Sequence, residues 1–167
     1  SVQLEGRQRT ARLERLTART KKVKAGEQVT LDMVLRPYRD KPVDRTVTLT
    51  VPRDTPSGLM RIVASGGQEA ESARQSLGVV RFAPTSIEEL VRLYRERKPA
   101  DALVIQAALP SRGLNVLGKE LPSLPTAVAD IMQAGRSSDV RPQPDHIEQL
   151  EKTDWVVFGR QSITVQV

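Results

Sequence analysis

From residue 29 to residue 64 apolar and polar positions alternate, and each alternating run is cut short by proline or glycine. Val29, Leu31, Met33 and Leu35 are separated by Thr30, Asp32 and Val34. Successive side chains of an extended backbone point to opposite faces, so a period of two predicts a strand with one face buried. The segment Arg36-Pro37-Tyr38-Arg39-Asp40-Lys41-Pro42 then has turn chemistry, with proline near each end. A second alternation follows in Val43, Val47, Leu49 and Val51, with Thr46, Thr48 and Thr50 between, and Pro52 stops it. Pro56-Ser57-Gly58 turns the chain into Leu59–Ala64, closed by Ser65-Gly66-Gly67. Short strands separated by turns about every ten residues predict an antiparallel sandwich rather than alternating β and α units.

The rest of the chain is less regular. Residues 68–76 are polar and suit a mobile loop or a short helix, and Leu77–Phe82 suits a strand. A helix is expected at Ser86–Arg97. Ser86 or Thr85 would cap it and Glu88 or Glu89 would complete a capping box, while Ile87, Leu90, Val91 and Tyr94 recur at helical spacing. Ala102–Leu109 is apolar almost throughout, as in a central strand. Pro110–Pro125 has the glycines and prolines of a loop, Ala127–Ala134 suits a second helix, and residues 135–154 read as polar with a short helix from Asp145. Trp155–Phe158, Gly159-Arg160-Gln161 and Ile163–Val167 read as a closing hairpin. The expected architecture is therefore mainly β with an α/β insertion: one domain over 1–167, an immunoglobulin-like antiparallel β-sandwich carrying a helix-strand-helix segment. Residues 1–83 would supply the sandwich strands, 84–153 the elaboration, and 154–167 a hairpin returning to the sheet.

Composition narrows the chemistry. With 38% hydrophobic residues but only Trp155, Phe82, Phe158, Tyr38 and Tyr94 as aromatics, the core must be aliphatic. A chain of 167 residues is long enough to bury such a core without a disulfide or metal staple. No cysteine is present, which excludes thiolate zinc sites, iron–sulfur ligation, a thiol nucleophile and disulfides, and a single histidine excludes multi-histidine metal sites. No cofactor is expected. No apolar stretch approaches the roughly 20 residues that span a bilayer. The opening Ser1-Val2-Gln3-Leu4 has neither Met nor a signal-peptide apolar run, and suits a mature product or a piece of something longer.

Eight basic residues lie in the first 24 (Arg7, Arg9, Arg12, Arg15, Arg19, Lys21, Lys22, Lys24) against Glu5 and Glu14, which accounts for the whole net charge of +6. Such a segment could grip nucleic acid or another anionic polymer through residues 7–24. No aromatic accompanies the charge to stack on bases. Ala11, Leu13 and Leu16 interrupt it instead, and their spacing suits a bulged strand or a helical turn leading into Ala25-Gly26. A structural strand is the expected outcome, with nucleic-acid binding as the alternative.

Catalytic candidates are weak. His146 would be the base of any Ser-His-Asp arrangement, but no nucleophile elbow is present and Asp145 is its chain neighbour. In polar, proline-rich sequence His146 reads as an exposed residue at a helix start. Glu88 and Glu89 suit a helix N-terminus, and Ser65-Gly66-Gly67 lacks the lysine of a phosphate loop. An enzyme is not expected. Arg36, Tyr38 and Arg39 form the best small cluster, two guanidinium groups around an aromatic ring, able to hold a carboxylate or phosphate.

Two stretches carry a family likeness. One is Val29–Gly67, with Leu35-Arg36-Pro37-Tyr38-Arg39, Val51-Pro52 and Pro56-Ser57-Gly58. The other comprises Pro84-Thr85-Ser86-Ile87-Glu88-Glu89-Leu90, Gly118-Lys119-Glu120-Leu121-Pro122-Ser123-Leu124-Pro125, Val157-Phe158-Gly159 and Ile163–Val167. Together they resemble the long C-terminal, non-peptidase region of bacterial proteins classed with the SpoIVB-type serine peptidases, over most of residues 20–167. None of the peptidase motifs maps onto this chain. The resemblance implies a non-catalytic β-rich module of a larger exported bacterial protein, periplasmic or extracellular, with a peptidase-like domain of the same parent chain or an envelope protein as its partner.

Overall fold

We describe residues 9–79, 86–116, 119–121 and 140–167 of a computed structural model, with the backbone course alone at 111–116, 119–121 and 140–143. The strands are β1 (Thr10–Ala18), β2 (Gln28–Pro37), β3 (Val43–Thr50), β4 (Leu59–Gly66), β5 (Ala102–Val116), β6 (Lys119–Leu121), β7 (Val140–Lys152), β8 (Val156–Phe158) and β9 (Arg160–Gln166). A 3-10 turn at Gly67–Glu69 leads into helix α1 (Ala70–Ser76), and helix α2 spans Ile87–Arg95. One sheet has the order β3-β2-β1-β8. In the other, β6-β5-β4-β9, strand β7 also pairs with β5. The chain is thus mainly β, two sheets face to face. All named strand pairs are antiparallel except β1 with β8.

The alternation read in the sequence is the alternation of burial. Leu13, Val29, Leu31, Met33, Leu35, Val47 and Leu49 from the first sheet meet Met60, Ile62, Leu103, Ile105 and Val165 from the second in one shared aliphatic core. Threonines 46, 48 and 50 face water. The second sheet is covered on its outer face as well, where Ala73 of α1 and Leu77 just after it lie on Val63 and Ala108, and Ala70 lies on Ala102 and Val104. This is why β5 reads as apolar from Ala102 to Leu109 but for Gln106, since both faces are buried over that stretch.

Residues 10–18 of the basic segment form β1, a strand with β2 on one side and β8 on the other. A register shift between Leu13 and Arg15 lets both Leu13 and Leu16 point inward although they are three apart, which is the work of a β-bulge.

Several expectations are corrected. Residues 68–76 take the helical of the two forms expected, a 3-10 turn running into α1 with Ala70, Ala73 and Arg74 buried, and the mobile alternative falls away. Leu77 and Gly78 are a turn ending α1, with Gly78 at φ 82°, and Val79 is buried without being in a strand; residues 80–82 of that expected strand lie outside the described residues. Pro110 does not end β5, which runs on to Val116 after a register shift between Ala108 and Arg112. The expected helix from Asp145 is strand β7. It pairs with β5 from Lys152 to Val140 and carries Pro142 and Pro144, prolines a strand can hold where its outer side needs no ladder donor. The second helix expected at Ala127–Ala134, and Pro122–Pro125 of the motif before it, lie outside the described residues.

The closing segment is not a hairpin. β8 belongs to the first sheet beside β1, and β9 to the second beside β4. Gly159, at φ 95°, carries the chain across in a left-handed conformation that glycine adopts without strain. At this crossing Gly66 comes so close that an added Cβ would stand 1.9 Å from the carbonyl oxygen of Val157.

Candidate binding cleft

α1 and α2 stand over the outer face of the second sheet and enclose a cleft of about 770 Å³ between them. α1 is fixed from below by its alanines and by the close approach of Gly67, whose added Cβ would meet the carbonyl oxygen of Pro99 at 1.8 Å. α2 begins as its sequence predicts. The Ser86 hydroxyl accepts from the backbone N–H of Glu89 at 3.2 Å, with Glu88 and Glu89 in the first turn and Arg92 and Arg95 in the last, each sign matched to the helix dipole. Its apolar stripe is not buried, however: Ile87 is 75% exposed and Tyr94 69%. Leu90, Leu93 and Tyr94 give the cleft an apolar wall.

The floor is polar. Gln106 of β5 and Glu148 of β7 are direct cross-strand partners, and the Gln106 Nε2 donates to Glu148 Oε2 at 2.8 Å. The Lys98 ammonium donates to the other carboxylate oxygen, Oε1. Arg74 of α1, 5% exposed, adds its charge nearby. Burial pushes the Glu148 carboxyl up, but the hydrogen bonds from Lys98 and Gln106 and the charges of Lys98 and Arg74 outweigh it, so its pKa lies below the ordinary value and the carboxylate stays ionised. Gln106 is only 2% exposed, and its Oε1 is buried with no hydrogen-bond partner among the described residues. A buried acceptor left unmatched is costly, and this one lies among the residues lining the cleft.

The residues singled out from sequence lie elsewhere. Arg36, on β2, donates through Nε to Glu14 Oε1 at 2.6 Å. Tyr38, 55% exposed, and Arg39 sit in the following turn, with the Arg39 guanidinium 5.1 Å from the Tyr38 ring centre. The structure thus divides that cluster between an ion pair and a cation–π contact. On the same outer face Arg19 holds Asp32 through Nε and Nη2, at 2.8 and 3.0 Å, and Thr46 adds a third hydrogen bond at 2.8 Å. The Arg19 bond, and then that from Thr46, lower the Asp32 pKa, while Arg19 is raised in turn by its bond to Asp32. His146 is a partly buried residue of β7 opposite Ala108, not a helix start, and it is not among the cleft's lining residues. Among the described residues no group of three metal-ligating side chains occurs, and no helix is long and apolar enough to cross a membrane.

Lys98, Gln106 and Glu148 were not singled out from sequence. One signal was available: Gln106 is the lone polar residue within Leu103–Leu109, and a polar side chain in a strand buried on both faces requires a partner. No family model, curated protein or solved structure matches the chain.

Proposed function

We propose that this chain is a non-catalytic binding or positioning module, with the cleft between α1 and α2 as its working surface. The observation that carries this reading is the combination, in one concavity, of an exposed apolar wall with hydrogen-bonded polar groups, Gln106 buried and Lys98 and Glu148 partly buried, the usual make-up of a recognition site. The groups on the floor are an amide, an ammonium and a carboxylate that hydrogen-bond one another, which suits holding a ligand more than transforming it. The resemblance to the non-peptidase region of SpoIVB-type proteins supports placing the module in a larger exported bacterial protein, beside a peptidase-like domain or an envelope protein. An immunoglobulin-like relationship of the sandwich belongs to the same proposal.

The alternative, an anionic-polymer grip on residues 7–24, has less behind it. Arg12 and Arg15 lie on a strand whose inner face is core, and Arg19 is held by Asp32. A photo-crosslinking amino acid at Tyr94 in the full-length protein, with Thr48 on the far sheet as control, tests the choice. Adducts at Tyr94 with the parent chain's peptidase-like region or a single envelope protein, and none at Thr48, are expected. Nucleic-acid adducts, or equal labelling at both positions, would overturn the proposal.

A further inference from the structure

The geometry points to a neutral amide, a peptide unit or a carboxamide, as the group the cleft recognises, seated between Gln106 Oε1 and the Lys98 ammonium. This deepens the preceding proposal and rests on it.

Glu148 fixes both groups. One carboxylate oxygen takes the Gln106 amide nitrogen and the other takes Lys98. Because Gln106 Nε2 is engaged, its Oε1 is the atom left as an acceptor, and it has no partner among the described residues. An ammonium carries three donors, and the hydrogen bond from Lys98 to Glu148 uses one of them, on a side chain still 28% exposed. Glu148 therefore ties together two residues of the cleft lining, one carrying an unmatched buried acceptor and the other an ammonium with further donors. An amide offers the complement, an N–H for the glutamine oxygen and a C=O for the ammonium.

Charge selects against ionic ligands. Three cations among the lining residues, Arg74, Arg97 and Lys98, face three acids, Glu71, Glu96 and Glu148. A carboxylate would meet the Gln106 oxygen with like polarity, and an ammonium would be set beside Lys98. The remainder of the ligand would be apolar, resting on Leu90, Leu93 and Tyr94.

The test uses one carbon skeleton in four forms, namely isovaleramide, methyl isovalerate, isovalerate and isoamylamine, with a capped neutral tetrapeptide of alternating glycine and leucine as a fifth probe. Binding is read from NMR shifts of the Gln106 side-chain amide and of the Lys98 and Glu148 backbone amides. The amide is expected to bind roughly tenfold more tightly than the ester, carboxylate or amine, the effect of matching one otherwise unsatisfied buried acceptor. Gln106→Met and, separately, Lys98→Met should each remove that preference; two variants guard against one that does not fold. A tighter tetrapeptide identifies a protein segment as the source of the amide, and an equal or weaker one a small carboxamide. Cleft shifts with no preference for the amide would overturn this inference and leave the binding reading intact. No cleft shift with any probe would overturn both.

Discussion

Leu13→Ala separates a structural basic segment from a ligand-gripping one. Leu13 is 1% exposed, pairs with Leu35 across β1 and β2, and lies in the shared core. Truncating such a leucine removes its burial and leaves a cavity that the surroundings fill only in part, a loss of about 3–4 kcal/mol. For a domain of this size each kcal/mol moves the melting temperature by about 2–4 °C, so Leu13→Ala should melt roughly 10 °C lower. Arg12 and Arg15 bracket Leu13 in sequence but are exposed. Arg12→Ala combined with Arg15→Ala should shift the melt by no more than about 4 °C, since exposed substitutions change stability by only about 0.5 kcal/mol each. Circular dichroism melts and urea titrations of the three proteins, together with retention on immobilised DNA across a salt series, provide the measurement. Equal melting temperatures for Leu13→Ala and the parent would refute the core strand. A steep salt-dependent retention that vanishes in the arginine variant alone would show a phosphate grip.

Gly66→Ala places a Cβ 1.9 Å from the Val157 carbonyl oxygen, a backbone atom with nowhere to go, and should cost on the order of 3–5 kcal/mol by chemical denaturation. Removing residues 162–167 takes away most of β9, with Ile163 and Val165 from the core, and should abolish the cooperative thermal transition. The depressed pKa of Glu148 contributes stability that is present above the ordinary glutamate value and is lost as pH falls through the lower folded value. Glu148→Gln should therefore be less stable than the parent at neutral pH, with the gap narrowing under acid, as followed by denaturant midpoints from pH 7 to pH 3.

Much of the first sheet was legible because its strands are half-buried. Val29 to Leu35 alternate in the sequence for the same reason that they alternate in burial, and Pro37 and Gly58 mark turns by their own backbone limits. Legibility failed where tertiary contacts decide. β7 contains His146, Glu148 and Gln149 and two prolines, with nothing local to favour a strand; pairing along β5 makes it one. The last two strands share a short connection in sequence, yet pairing with β1 and β4 sends them to opposite sheets. The cleft was hidden for a related reason. Lys98, Gln106 and Glu148 are ordinary polar residues in a helix exit, an apolar run and a polar tract, and only the β5–β7 register sets the latter two side by side. The N-terminus of α2 was plain because a cap is local, but the exposure of Ile87 and Tyr94 was not, since helical periodicity tells which residues share a stripe and not whether anything covers it.

The crossing at Gly159 has a consequence for how the chain assembles. β1 is flanked by β2, its near neighbour in sequence, and by β8, so Thr10 finds its other partner at Val156. Val23, just after β1, likewise donates its backbone N–H to the carbonyl of Gln166 at 2.9 Å. During synthesis, β1, β2 and β3 can pair soon after they leave the ribosome, but one side of β1 stays open until Val156–Phe158 have been made. Closing so large a loop comes before the contacts that reward it, which slows folding. Until then the open side is an unpaired strand edge, the kind of surface on which nascent β proteins associate with one another. The same two closures tie residues near the start of the described chain, Thr10 and Val23, to Val156 and Gln166 near its end.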